Sequence, residues 1–169
     1  MGFSGHKHQK GEKILTICDG NGNIVAPLVV ESVNRHDDVL LDESLMNLQD
    51  IALEIHLDLS GKYLTLDSGF DSALNVKLIE YLGLIPVIKP NLRGLKDETR
   101  INARLDAFER VKDVYEKRYS IERCFAWEDT YRKLVIRYET LQATFMGFRY
   151  LAFSMINFRS IFKNKRGET

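Results

Sequence analysis

The segment KYLTLDSGFDSALNVKLIEYLGLIPVIKP, from Lys62 to Pro90, constrains the fold more than any other part of the chain. KYLTLD reads as a short apolar strand ending on Asp67, SGFDS turns the chain, SALNVKLIEYLG has helical spacing and stops at a glycine, and LIPVIKP is a second strand. A strand, a helix and a strand in so short a span make a βαβ unit. Its crossover makes Tyr63–Asp67 and Ile85–Ile88 parallel neighbours.

The remaining elements are placed around that unit. KILTICD (Lys13 to Asp19) and IVAPLVV (Ile24 to Val30) are rich in β-branched residues and flank the turn signal GNGN, which predicts a β-hairpin. Pro27 has no amide hydrogen to give to a ladder, so its strand is expected at a sheet edge or at a bulge. From Asp37 to Ile55 the apolar residues Val39, Leu40, Leu45, Leu48, Ile51, Ala52 and Ile55 keep helical spacing, with Asp37 or Asp38 as the cap. NLRGLKDETR is a polar, basic connection. Helices are expected over about Ile101 to Ala126 and Glu139 to Phe162. With 44% hydrophobic residues in 169, the chain can bury one core of ordinary size, which predicts a single domain over residues 1–169 of mixed α/β class.

Several function classes recede on composition. Cys18 and Cys124 stand far apart in the sequence and match no zinc-ligand spacing, favouring a reduced cytoplasmic protein. MGFSGHKHQKGEK is basic and has no apolar stretch of the kind a secretory signal needs; His6 and His8 within it read as a solvated basic terminus rather than a metal or phosphate site. GNGNIV does not complete a dinucleotide fingerprint, because Val25 holds the third glycine position. ATFMGFRYLAFSMINF (Ala143 to Phe158) is too short to span a bilayer and carries Arg149 at its centre, where hydrocarbon penalises a charge by about 3 kcal/mol. It is expected to be a buried helix, with no membrane partner. The zero net charge conceals a split: residues 1–88 carry 6 Lys and Arg against 13 Asp and Glu, and residues 89–169 carry 18 against 11. The basic half suggests nucleic-acid contact or a solvated basic helix pair.

Two places carry candidate chemistry. Asp67, at the carboxyl end of a parallel strand, stands where α/β sheets place ligands, or else caps the turn that follows. Lys89 follows the second strand at the same sheet edge, as a phosphate-binding or a solvated loop lysine. In YEKRYSIERCFAW (Tyr115 to Trp127), Tyr115, Arg118 and Glu122 at i, i+3 and i+7 share one helix face, with Ile121, Phe125 and Ala126 beside it. A glutamate held against apolar neighbours needs a cation, either Arg118 one turn away or a divalent metal. Trp127, Phe145, Phe148, Phe153, Phe158 and Phe162 are expected as core or dimer-contact residues rather than as base-stacking ones.

YEKRYSIE resembles the signature of the DDE transposases of bacterial insertion sequences: a tyrosine, two residues, an arginine, three residues and a glutamate. Tyr115, Arg118 and Glu122 match it position by position. LTLDSGFDS is similar to the family's stretch around its second catalytic aspartate, at Asp67. SGHKHQKGEKILTICDGNGNIVAPLVV and the VNRHDD that follows it, with Asn34 and Asp37 as an Asn-x-x-Asp, also resemble the family. The resemblance covers nearly the whole chain.

That resemblance implies a ribonuclease-H-like mixed sheet, an antiparallel hairpin plus the βαβ unit with C-terminal helices, whose carboxylates bind Mg²⁺ (or Mn²⁺) for cleavage and transfer of DNA strands at transposon ends. Asp67 and Glu122 would be the catalytic metal ligands; Tyr115, Arg118, Arg123 and Lys89 would contact DNA. The family often has a lysine seven residues beyond the glutamate. Asp129 stands there in this chain, with Arg132 and Lys133 nearby. The family's first aspartate lies on a central strand upstream of SGHK, so that strand is expected to be missing here. Asp19 is expected to be a turn residue and no substitute for it. Without the central strand the fragment is expected to be poorly stable alone, and an upstream transposase chain or a homodimer could complete it. The alternative is a catalytically inactive remnant, or a DNA-binding or inhibitory fragment with no enzymatic activity.

Overall fold

The computed structural model describes residues 2–4, 9–32, 37–136 and 138–166. His6, His8 and Asn34 lie outside the described residues. In chain order the strands and helices are β1 (Gly2–Ser4), β2 (Gln9–Leu15), β3 (Val29–Ser32), α1 (Asp37–Glu54), β4 (Tyr63–Leu66), α2 (Ala73–Tyr81), β5 (Ile85–Ile88), α3 (Glu98–Glu109), α4 (Lys112–Glu116), α5 (Tyr119–Glu128), α6 (Arg132–Val135) and α7 (Gln142–Arg166). A single 3₁₀ turn, Ser68–Phe70, leads from β4 toward α2. The chain divides into two compact units: Met1–Thr16 with Ala26–Arg118, and Ile17–Val25 with Tyr119–Thr169.

The first unit holds both sheets, and among the described residues no ladder joins them. One is antiparallel, in the order β1-β2-β3, with Leu15 opposite Val29 and Glu12 opposite Ser32. The paired stretches of the hairpin, Glu12–Leu15 and Val29–Ser32, are therefore shorter and further from the turn than Lys13–Asp19 and Ile24–Val30. Beyond the ladder an isolated bridge pairs Cys18 with Ile24. Three residue steps lead from Leu15 to Cys18, but five from Ile24 to Val29. The longer arm contains Pro27, which can donate no ladder hydrogen bond. β3 is an edge strand, as that proline predicted.

The other sheet is the parallel pair β4–β5, in register from Tyr63 opposite Ile85 to Leu66 opposite Ile88. Ser72 caps α2 by accepting from the Asn75 amide at 3.2 Å, and the buried Asn75 side chain donates to the Phe70 carbonyl at 2.9 Å. α1 packs against β2, β3 and α2. It buries Leu40, Leu41, Leu45, Leu48 and Ala52, while Leu64, Phe70, Ile79, Leu82, Leu84 and Val87 are buried around the βαβ unit. Each such leucine or isoleucine contributes roughly 1.5–3 kcal/mol of apolar burial. Ile55, expected on the apolar face of α1, is exposed because the helix has already ended.

Two helices of this unit end by the same device. After α2, Gly83 takes φ +76°, its amide donates to the Glu80 carbonyl at 2.9 Å, and the Leu84 amide reaches the Ile79 carbonyl at 3.2 Å. After α1 the left-handed residue is His56, at φ +55°, with His56 donating to Leu53 at 3.3 Å and Leu57 to Ala52 at 2.7 Å. Glycine adopts this conformation without steric cost; histidine does not.

The helix expected over Ile101 to Ala126 is broken into α3, α4 and α5. Asp97 starts α3 by accepting from the Thr99 and Arg100 amides. At each break the ladder tightens to i→i−3 bonds, Val111 to Phe108 at 3.0 Å and Arg118 to Tyr115 at 2.9 Å. Tyr115 therefore belongs to α4, Arg118 to a turn and Glu122 to α5, so the expected stripe does not lie on one continuous helix.

In the second unit Asp19 makes the turn expected of it. Its carboxylate accepts from the Asn21 and Asn23 amides at 2.9 and 2.8 Å and from the Asn23 side chain at 2.8 Å. Asn157 on α7 holds the same loop at two points: Ile24 donates its amide to Oδ1, and Nδ2 donates to the Ile24 carbonyl, both at 2.9 Å. Phe145, Ala152, Phe153 and Ile156 of α7 are buried, as are Cys124 and Leu134. Phe145 and Phe153 thus join the core, but Phe158 and Phe162 are exposed, so α7 is amphipathic rather than buried all round; Trp127, on α5, is exposed as well. Glu128 and Arg149 form an ion pair at 2.8 Å, their side chains only 5% and 15% exposed. Burial raises the Glu128 carboxyl above its ordinary value, with Arg149 opposing that rise. The Cys124 thiol is pushed up to about 12 by burial and stays protonated at neutral pH. Among the described residues no helix is long and apolar enough to cross a membrane.

Two stability outcomes follow. His56→Gly removes the left-handed strain at the end of α1 and is expected to stabilise the first unit by about 1 kcal/mol in urea denaturation. Glu128→Ala leaves a nearly buried guanidinium uncompensated and should destabilise the second unit by roughly 3 kcal/mol, read by Trp127 fluorescence. Because the folded-state carboxyl is raised above 4.5, the folded chain binds this proton more readily than the unfolded one. Its contribution to stability is full below 4.5 and declines as pH rises through the raised value. Glu128→Gln should flatten that slope.

Candidate functional site

The βαβ register sets the site in the first unit. Leu66 lies opposite Ile88, so the next residues, Asp67 and Lys89, leave the sheet side by side at its carboxyl edge, and the Lys89 amide donates to the Leu66 carbonyl at 3.2 Å. Lys89 is exposed. Asp67 is extended, at φ −77° and ψ 175°, and its Oδ1 accepts from the Gly69 amide at 2.8 Å. It therefore caps the 3₁₀ turn, the structural role weighed for it from sequence.

The other carboxylate oxygen of Asp67 faces a cation. Arg118 Nη2 lies 3.5 Å from Oδ2, with both side chains part-exposed. α4 packs against β4 and β5, and the turn that closes it carries Arg118 to this edge. Tyr115, on α4, meets the Phe108 ring edge-to-face at 5.0 Å between centroids. Asp67, Lys89 and Arg118 are the sequence-predicted residues brought to this sheet edge.

Beside them is a network that the sequence did not reveal. Asp71 accepts from the Asn91 amide at 2.6 Å and pairs with Arg104, which also donates to the Asn91 carbonyl at 3.4 Å. It ties the loop after β4 to the loop after β5 and to α3. The aspartate in SGFDS was visible as a turn residue, but its partners lie 20 and 33 residues away and no local pattern announces them.

Glu122 and Arg123 belong to the second unit. Glu122 is exposed in the first turn of α5, where a carboxylate is favoured by the helix dipole. Arg123 lies between two rings of its own helix, 5.2 Å from the centroids of both Tyr119 and Trp127, and donates to the Asn21 carbonyl at 2.9 Å. Gly22, at φ +86°, lets the loop pass close to α5: a Cβ there would stand 3.4 Å from the Ser120 carbonyl oxygen. Asp129 and Arg132 are both exposed.

Among the described residues, no group of three or more His, Cys, Asp or Glu side chains could hold a metal ion. The donor type nevertheless fits a hard divalent cation, since Asp67 and Glu122 offer carboxylate oxygens, and Mg²⁺ is commonly bound through one or two carboxylates with retained water. Arg118 and Lys89 bring two cationic residues to the Asp67 edge.

A family model described as a transposase DDE domain matches residues 2–158, a span that includes all six candidate residues. No curated protein and no solved structure matches the chain. With a family match over nearly its whole length, the chain belongs to the transposase DDE domain family.

Proposed function

We propose that the chain is the C-terminal part of the catalytic domain of an insertion-sequence DDE transposase, acting on DNA by metal-dependent cleavage and transfer of strands. The observation that carries this reading is the grouping of Asp67, Lys89 and Arg118 at the carboxyl edge of the β4–β5 pair, in a chain of this family. An antiparallel sheet and a βαβ unit that share no ladder among the described residues are compatible with a ribonuclease-H-like sheet whose central strand is supplied from upstream or by a partner chain. Both units would then belong to one domain working in the cytoplasm.

Asp67 and Glu122 serve as the metal-ligating carboxylates. When bound, Mg²⁺ or Mn²⁺ supplies Lewis-acid stabilisation of phosphate charge and makes an attacking water or hydroxyl more acidic. The protein's own part is to hold the phosphate. Arg118 presents a planar guanidinium suited to two-point contact with phosphate oxygens. Lys89 adds a mobile point charge at the same edge. Tyr115 offers a phenolic donor on α4, and Arg123 a further cation on α5. Positioning of this kind does most of the work in phosphoryl transfer.

A second reading has a specific observation behind it. Both oxygens of Asp67 already have protein partners, Gly69 and Arg118, which suits a DNA-binding or inhibitory fragment without catalysis. Nicking of DNA carrying transposon ends separates the two. Catalysis requires Mg²⁺-dependent nicking by the full chain, alone or with an upstream transposase chain, that falls to background in both Asp67→Ala and Glu122→Ala. Salt-sensitive DNA binding with no nicking under any of these conditions would establish the non-enzymatic reading. In either case Lys89→Ala should weaken binding evenly across sequences and reduce the slope of log K against log salt by about 1.

A further inference from the structure

The second unit contains a cleft of about 560 Å³ whose lining includes Asn21, Tyr119, Arg123, Trp127, Tyr131 and Arg159, and to which no Asp or Glu among the described residues contributes. Tyr119, Arg123 and Trp127 recur every four residues on α5 and so share a face. Tyr119 is 56% exposed and Trp127 37%, high values for aromatic residues that could have packed inward. Arg159 enters from α7 and is also exposed.

Two polar groups of this cleft are incompletely satisfied. Arg123 spends one guanidinium nitrogen on the Asn21 carbonyl, yet its buried Nε has no acceptor among the described residues, and neither does the buried Tyr131 hydroxyl. Buried donors left unpaired are costly. The cleft thus combines exposed aromatic faces, two cations, unmet donors and no carboxylate. Aromatic faces suit the π-face of any base, arginines suit phosphate, and unmet donors suit the carbonyl oxygens and ring nitrogens on a base edge.

We infer that this cleft binds unpaired nucleotides of single-stranded DNA, with bases stacked on Trp127 and Tyr119 and the backbone held by Arg123 and Arg159. In a duplex the base faces are covered by their neighbours, so this site would distinguish a strand that has been opened from one that has not. The inference rests on DNA being the substrate, as proposed above, but needs neither metal nor catalysis.

The test uses the full chain in EDTA, titrated with a labelled thymidine strand of about 8 nucleotides, the matching duplex, and an abasic strand with the same phosphates. Trp127 is the only tryptophan, so its fluorescence reports stacking directly. The expected result is saturable quenching and binding of the thymidine strand on the order of 10-fold tighter than of the abasic strand or the duplex. Trp127→Phe should keep most of that preference, and Trp127→Ala and Tyr119→Ala should lose it with an unchanged circular dichroism spectrum. If either alanine variant fails to fold, the thymidine and abasic strands compared on the unaltered chain decide. Equal affinity for those two strands, or an unquenched Trp127, overturns the proposal. Metal-dependent nicking without strand preference would sink the cleft and leave the transposase reading intact, whereas strand preference without nicking would do the reverse.

Discussion

The parallel pairing of β4 with β5 is the constraint on which the first unit depends. Parallel strands cannot be joined by a tight turn, so the chain must cross over the sheet, and α2 is that crossover. Its two ends are fixed by different chemistry, a Ser72 side chain at one and the left-handed Gly83 at the other. Between them Ile79 is wholly buried. Once the register is set, Asp67 and Lys89 have no choice but to emerge together. The Asp71–Asn91–Arg104 network then joins the loops that follow the two strands, so the polar edge of the sheet is braced.

The second unit holds its loop of Ile17–Val25 by other means. Polar contacts to the main chain hold the loop instead. Asn157 satisfies both backbone groups of Ile24, Arg123 satisfies the Asn21 carbonyl, and Asp19 satisfies the amides of the turn itself. Such bonds give only about 1 kcal/mol each, but leaving their partners buried and unmet costs more. They specify one arrangement. The Glu128–Arg149 pair adds to this specificity more than to stability, since desolvation offsets much of the attraction between buried charges, as the raised Glu128 carboxyl records.

What the sequence made legible follows from how local the governing interaction is. The βαβ unit could be read because its strands, its helix and Gly83 are all signalled within a few residues. The Pro27 irregularity and the Asp19 turn were readable for the same reason. The bounds of α1 were readable to within one residue from its apolar spacing, but the device that ends it was not, because His56 takes a conformation that glycine usually announces. Nor were the breaks between α3, α4 and α5, where helical spacing continues through Arg110, Val111, Lys117 and Arg118 and no proline or glycine marks the interruption. At the site, Asp67 and Lys89 were legible as neighbours through the register. The approach of Arg118 to Asp67 was not, since it depends on a turn that the periodicity conceals.

That approach also bears on how Asp67 can serve both structure and chemistry. Its Oδ1 is committed to the Gly69 amide at 2.8 Å, a short-range cap within the same turn. Its Oδ2 is committed to much less. At 3.5 Å and with both groups part-exposed, the pair with Arg118 belongs to a class worth at most about 1 kcal/mol. A carboxylate oxygen has more than one lone pair, so capping the turn does not exhaust its capacity as a ligand. In the role proposed above, Arg118 would exchange this carboxylate for a phosphate, which offers more negative charge and a matching two-point geometry. Asp67 is thus oriented by its strong contact and left available by its weak one.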